Sequence, residues 1–139
     1  MFLLDTNIIS ELRRAAHGLS DPGVVAWAQA TDPILMHTSV IVLMEIEHGI
    51  QRLDRKDPAQ ASRLRHWFEH QVRPGFGTHA LPIDLDTALI CAGLHARGPR
   101  SPHDTLIGAT ALRHGLTLVT RNVRDFEVMG VPTLNPFAS

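Results

Sequence analysis

Short apolar runs recur along this chain, and each is separated from the next by stretches with helical spacing. Phe2 to Leu4, Ile34 to Thr38, Ala80 to Ile83, Leu116 to Val119 and Val131 to Leu134 read as strands of three to five residues. The intervening segments Asn7 to Arg14, Val24 to Ala30, Val40 to Leu53, Pro58 to Val72, Thr87 to Arg97 and Pro102 to His114 carry apolar residues at helical intervals. Strands that alternate with helices cannot pair as hairpins. They predict βαβ units, hence a three-layer α/β/α fold around a parallel sheet of four to five strands. The glycine-rich stretch Arg73 to Thr78 (RPGFGT) reads as a loop. The residues after Thr120 read as a turn.

At 139 residues the chain is expected to form a single domain, residues 1–139. The longest apolar run, Val40 to Met44, falls far short of the roughly 18 residues of a membrane span. No basic segment followed by a long apolar one opens the chain. The expectation is a soluble cytoplasmic protein without a membrane partner. Cys91 is the only cysteine and sits among Leu89, Ile90, Ala92 and Leu94, so it is read as core. The formal net charge of -1 excludes a protein that coats nucleic acid through a global basic field. Twelve of the thirteen basic residues are arginine, whose planar fork suits phosphate.

In open parallel sheets chemistry gathers at the carboxyl ends of the strands, so the acids there deserve separation from the solvated majority. Asp5 follows the first strand and is either a helix cap or, if Thr6 caps, a side chain free to point across the strand ends. Asp104 stands at the third position of a helix opened by Ser101 and Pro102, where an acid is favoured by the first-turn amides. Below it Gly108 and Ala111 are small enough to let the helix lie against the sheet edge. Glu45 and Glu47 flank opposite sides of the apolar arc Val42, Leu43, Ile46, Ile50 and Leu53, and the helical wheel does not choose between them. Arg121, Asn122, Arg124 and Asp125 follow the strand that ends at Thr120.

If these acids converge, two carboxylates about 4 Å apart repel by roughly 4 kcal/mol at an effective dielectric near 20. Such a cluster requires protonation or a cation. Oxygen-only ligands with remaining water suit Mg²⁺ or Mn²⁺. A hard cation of that kind activates water and neutralises phosphate charge, the two needs of phosphodiester hydrolysis.

Taken in order, these segments resemble the PIN-domain proteins, specifically the VapC toxins of bacterial toxin–antitoxin pairs and their FitB-like relatives, over nearly the whole chain. FLLDTNIISEL is similar to the opening motif and places a metal-binding acid on Asp5. TSVIVLMEIEHGI is similar to the second and selects Glu45 over Glu47, because a glycine, Gly49, stands four residues after it. SPHDTLIGATAL resembles the third and places the main metal-binding acid on Asp104. LVTRNVRDF and VPTLNPF resemble the fourth motif and the terminal strand. Asn122 stands where many relatives carry an acid, which leaves Asn122 or Asp125 to complete the site.

The resemblance implies a Mg²⁺- or Mn²⁺-dependent endoribonuclease acting on tRNA or other translation-related RNA. Asp5, Glu45, Asp104 and Asp125 are the implied catalytic acids, the first three of them holding metal, with Thr6, Asn7, Thr120 and Asn122 as supporting polar groups. It further implies a homodimer held inactive by a VapB-like antitoxin, which alone contacts operator DNA. Arg13, Arg14, Arg121 and Arg124 flank the acid edge and are expected to meet RNA phosphates or the antitoxin.

Two rival readings accompany this one. A PIN protein short of its fourth acid would serve as the non-catalytic partner of a DNA-binding regulator. His66, Glu69 and His70 fit H-x-x-E-H, a zinc-hydrolase pattern. No second motif supplies a third ligand, and Leu64, Trp67, Phe68 and Val72 form an apolar stripe on the same helix.

Overall fold

The computed structural model describes residues 1–138. Four parallel strands, β1 (Phe2–Leu4), β2 (Met36–His37), β3 (Thr117–Val119) and β4 (Thr133–Leu134), form one sheet in the order β2-β1-β3-β4. Consecutive residues Leu3 and Leu4, and likewise Leu118 and Val119, are fully buried. Neighbouring strand residues point to opposite faces, so both faces of the sheet are covered. The fifth expected strand, Ala80 to Ile83, is reduced to one parallel bridge of Leu81 with Ser39 beside β2. Pro82 has no amide hydrogen to continue a ladder.

The helices are α1 (Thr6–Arg13), α2 (Pro22–Ala30), α3 (Val40–Asp54), α4 (Pro58–Trp67), α5 (Arg73–Phe76), α6 (Leu85–Ala96), α7 (Pro102–His114) and α8 (Val123–Glu127). Most begin on side chains suited to the task. Asp21, Ser39, Asp57 and Asp84 each accept a backbone amide from the first turn of the helix that follows. The end of α7 is set by Gly115, whose φ of 64° is the left-handed conformation glycine adopts without strain. A single core joins Leu3, Leu4, Ile8, Val42, Ile46, Phe68, Leu94, Ile107, Leu118 and Phe126. Cys91 is buried in it, and burial raises its thiol pKa.

Three local expectations are corrected. The helix from Pro58 does not run unbroken to Val72: α4 ends at Trp67 and a π-turn covers Phe68–Val72, which buries both Phe68 and Val72. RPGFGT is not a loop, because Arg73–Phe76 is helical and Gly77–His79 is 3₁₀, with Phe76 packed on the core. The residues after Thr120 form α8 rather than a simple turn, since Phe126 is fully buried and holds that segment down.

The sheet order places the topological switch between β1 and β3. From β1 the chain crosses to β2 on one side and then returns past β1 to β3 on the other. Strand ends diverge there and open a crevice. Asp5 follows β1 and Thr120 follows β3, so both stand at its mouth.

The opposite region of β2 contains a group of histidines. Burial lowers the pKa of His37, assisted by repulsion from His79, the terminal amine and His114. A folded-state pKa below the ordinary 6.5 means that the unfolded chain binds the proton more readily. This contribution to stability is therefore present above about pH 6.5 and lost as pH falls through the folded value. Thermal denaturation of the parent and His37→Leu between about pH 8 and pH 5 should show the parent losing stability relative to the variant as pH falls.

Candidate active site

Asp5 is held at the crevice by four neighbours. Its Oδ1 accepts the Thr6 amide at 2.8 Å, and its Oδ2 accepts the Thr120 hydroxyl at 2.7 Å and the Asn7 side-chain amide at 3.4 Å. Its own backbone amide donates to Val119 O at 3.0 Å. The carboxyl is 4 % exposed. Burial raises its pKa, Thr120 and Thr6 oppose that rise by stabilising the anion, and the nearby Glu45 charge adds to it. Asp5 is therefore both the cap of α1 and the crevice acid. Thr6 does not cap: its hydroxyl donates to Glu45 Oε1 at 2.6 Å instead. The short aspartate reaches amide and crevice with different oxygens.

Thr120 links the two strand ends. Its buried hydroxyl donates to Asp5 and accepts from the Asn122 backbone amide at 3.0 Å and from Asn7 Nδ2 at 3.4 Å. Asn7 Oδ1 in turn accepts the Arg121 amide at 3.2 Å. The four polar residues expected to support the site thus form one connected network with Asp5 and Glu45.

Glu45 and Glu47 separate as the wheel requires. Glu45 faces Thr6 and His103, whereas Glu47 turns to Arg65 and is bonded through both oxygens, with Arg65 Nη2 at 2.6 Å. That pairing lowers the Glu47 carboxyl to about 2 and ties it up away from the crevice. Asp104 lies in the first turn of α7, where Ser101 marks the start but contributes its carbonyl, not its hydroxyl, to Thr105. Beneath it, a Cβ on Gly108 would approach Met129 Sδ to 3.2 Å, so the absence of a side chain lets α7 settle against the chain after α8.

Burial, then repulsion from Asp5, Glu45 and Asp125, push Asp104 up to about 6, with His103 acting in the opposite sense. The charges of Asp5, Glu45 and Asp125 therefore converge on Asp104, and that of Glu45 reaches Asp5 as well. Asp125 shares with Asp104, Arg100 and Arg124 a cleft of about 440 Å³. Asn122 presents its backbone amide to Thr120, and its side chain makes no capping bond.

Sequence reasoning missed His103. Its Nδ1 lies 3.3 Å from Glu45 Oε2, so it bridges the start of α7 to α3. Its place directly before Asp104 in a helical first turn was the available signal. Of the four arginines, Arg124 lines the acid cleft, and Arg13 lies over the Trp67 ring at 6.0 Å. A groove of about 290 Å³ joins Arg13 and Trp67 to Thr6 and Glu45. Arg14 faces Glu11 at 3.8 Å, and Arg121 stacks over Phe137 at 4.7 Å.

His66 and His70 are exposed with ring centroids 4.2 Å apart, while Glu69 faces Arg65 and Arg73. Among the described residues no third ligand joins them, and no three His, Cys, Asp or Glu side chains anywhere are closed around a point as a metal cage.

The molecule is thus a parallel α/β protein whose switch-point crevice is lined with carboxylates, an arrangement suited to a hard cation and an anionic substrate. The PIN domain pattern matches residues 2–131, and the chain belongs to the PIN domain family. It is 33% identical over 144 residues to the VapC ribonuclease Y4jK of Sinorhizobium fredii, covering 99% of this chain and 98% of that one. It is also similar to the FitAcB crystal structure from Neisseria gonorrhoeae, with a TM-score of 0.86, 30% identity and 98% of each chain covered. A structure of FitAB bound to a DNA fragment matches with a TM-score of 0.85 and 30% identity, over 98% of this chain and 95% of that one.

The raised Asp104 carboxyl has a consequence for stability. Its ordinary value is 3.8 and its folded value about 6, so the native state binds the proton more tightly. Stability is therefore fully present below the unfolded value and declines as pH rises through the folded one. In chelator, Asp104→Asn should exceed the parent by about 1 kcal/mol near pH 8, after allowance for solvent screening, and match it below about pH 4. Urea denaturation at the two pH values measures this.

Proposed function

We propose that this chain is a metal-dependent endoribonuclease toxin of a toxin–antitoxin pair, hydrolysing RNA phosphodiester bonds and neutralised by a VapB-like antitoxin. The observation that carries the reading is the convergence of Asp5, Glu45, Asp104 and Asp125 at the switch point, joined through Thr6, His103 and Thr120, with Asp104 pushed up to about 6. Membership of the PIN domain family and the similarity to a protein named VapC ribonuclease support the same activity. The resemblance to FitAcB and FitAB supports an antitoxin partner through which operator DNA is reached.

The donor set fits a hard divalent ion. Asp5, Glu45 and Asp104 offer carboxylate oxygens, and Cys91 is buried in the core away from them. Mg²⁺ or Mn²⁺ held by these three would supply a Lewis acid that lowers the pKa of water at the scissile phosphate and offsets the phosphate's charge. The chain's own residues do the rest. Thr120 and Thr6 hold Asp5 in one orientation, so its anionic form is presented without rearrangement. Thr6 fixes Glu45 from α1 while His103 approaches it from α7, which locks three separate elements around the crevice. Asp125 adds negative charge on the α8 side, and Arg124 beside it offers a fork for a phosphate oxygen.

A homodimer is also proposed, with α6 as its contact. Leu85 and Leu89 are 72% and 61% exposed on its outer side, together with Ala88, Ala92 and Ala96. Asp84 and Asp86 mark its beginning and Arg97 its end, so an antiparallel pair of α6 helices brings opposite charges together. Leu89→Glu should convert a dimer to a monomer in sedimentation equilibrium; an unchanged mass would remove α6 from the contact.

The nuclease reading is tested with RNA cleavage in Mg²⁺ or Mn²⁺. Asp5→Asn and Asp104→Asn are each expected to lower the rate at least about 100-fold while retaining the parental circular dichroism. Undiminished cleavage by both variants, or cleavage that depends on Zn²⁺ and His66, would reject it. Metal binding without turnover would favour the non-catalytic partner instead.

A further inference from the structure

Four basic side chains on α3 and the turn after it have no acid to answer them. His48, Arg52, Arg55 and Lys56 line, with Gln51, a shallow depression of about 420 Å³. Among the described residues none of the four has a carboxylate oxygen within 4.0 Å. Four arginines elsewhere are paired with acids: Arg14 with Glu11, Arg65 and Arg73 with Glu69, and Arg113 with Asp84 and Asp86. The acids nearest in sequence are occupied differently. Asp57 caps α4 through the Gln60 amide, and Asp54 lines a separate depression with Arg65. In a chain of net charge -1, this exposed cationic patch is unbalanced locally.

Its placement follows from helical register. Glu45, His48 and Arg52 recur at intervals of three and four and so share one side of α3, and Arg55 and Lys56 follow in the turn at its end. The row starts at a crevice acid and continues about 10 Å along α3 to Arg52, with Arg55 and Lys56 beyond it. Gly49 stands in the same row. A Cβ there would touch nothing, so no packing within the chain requires glycine, although glycine inside a helix costs about 0.5–1 kcal/mol relative to alanine. Its missing side chain leaves the helix backbone open between Glu45 and Arg52. Gly49 also lines the groove that holds Thr6, Glu45, Arg13 and Trp67.

We propose that this row is the track along which the RNA strand leaves the acid crevice, with Arg52, Arg55 and Lys56 holding successive backbone phosphates and His48 lying nearest the cut. The inference rests on the ribonuclease reading. A crevice of repelling carboxylates offers little to hold the phosphates flanking the scissile one, and unpaired cations in line with Glu45 do so. An acidic protein segment is the competing occupant. The depression is lined entirely by polar and basic side chains, without the apolar anchor that a protein interface concentrates at its centre. Phosphate contact needs no such anchor.

The test uses the full chain and the triple variant Arg52→Ala/Arg55→Ala/Lys56→Ala. Binding of a fluorescein-labelled single-stranded RNA of about 20 nucleotides is followed by anisotropy in chelator over a range of salt, and cleavage of a total tRNA pool is measured with Mg²⁺ or Mn²⁺. Three lost phosphate contacts should lower the slope of log K against log salt by about 2 and weaken binding about 10- to 100-fold, equally for poly-U and poly-A. For cleavage, KM should rise with kcat largely retained, because these residues lie outside the crevice. Binding and salt slope equal to the parent's would overturn the proposal. So would a triple variant that binds and cuts RNA normally but escapes inhibition by the antitoxin, which would assign the row to a protein partner. A parent that binds RNA through these cations yet never cuts it would leave the track standing and remove the nuclease reading, so the two failures are distinguishable.

Discussion

At the junction of β1 and β3 the Asp5 amide donates to Val119 O while the Thr120 hydroxyl donates to the Asp5 carboxylate. One bond continues the sheet and the other starts the site, and they share a residue. Because the two strands are parallel neighbours, their carboxyl ends emerge together. Because the chain crosses to opposite sides of β1 on its way to β2 and β3, nothing fills the gap between those ends. The helices that begin near this gap, α1, α3, α7 and α8, each deliver an acid or a hydroxyl to it.

That arrangement of acids is electrostatically unfavourable by itself. Asp5 and Asp104 are both shifted upward chiefly by burial, Asp104 further by Asp5, Glu45 and Asp125 and Asp5 further by Glu45. Stability is given up locally where charge is concentrated, and the compensation lies elsewhere, in strands buried on both faces and in Phe126 and Ile107 beneath the site. Hydrogen bonds from Thr120, Thr6 and Asn7 keep the ionised form of Asp5 accessible despite its burial. A hard divalent cation held among these acids would relieve the same repulsion.

The fold was legible because its elements are strongly patterned. The places of the four strands and the limits of α7 could be read from apolar runs, Pro102 and Gly115, although β2 keeps only Met36–His37 because Pro33–Leu35 is a 3₁₀ turn. What escaped was decided by long-range packing. The π-turn at Phe68–Val72 and the helical RPGFGT segment depend on what Phe68, Val72 and Phe76 touch. The fifth strand shrank to one bridge because Pro82 lacks an amide hydrogen. Asp5, Glu45 and Asp104 could be proposed from sequence, Glu45 by resemblance alone. His103 was missed: its place before Asp104 was visible, but its contact with Glu45 spans 58 residues.

The sequence by itself determined the alternation of strand and helix, the parallel sheet that follows, and the presence of acids at strand ends. Local apolar periodicity and capping chemistry act over a few residues, and a reader of sequence sees that range. Only the tertiary structure decided which oxygen of Asp5 caps α1 and which faces the crevice, that Thr6 binds Glu45, and that Glu47 is neutralised by Arg65. It also showed that Asp125 acts on Asp104. These outcomes depend on distances between residues far apart in the chain. Electrostatics and hydrogen bonding respond to those distances and carry no signature in spacing along the sequence.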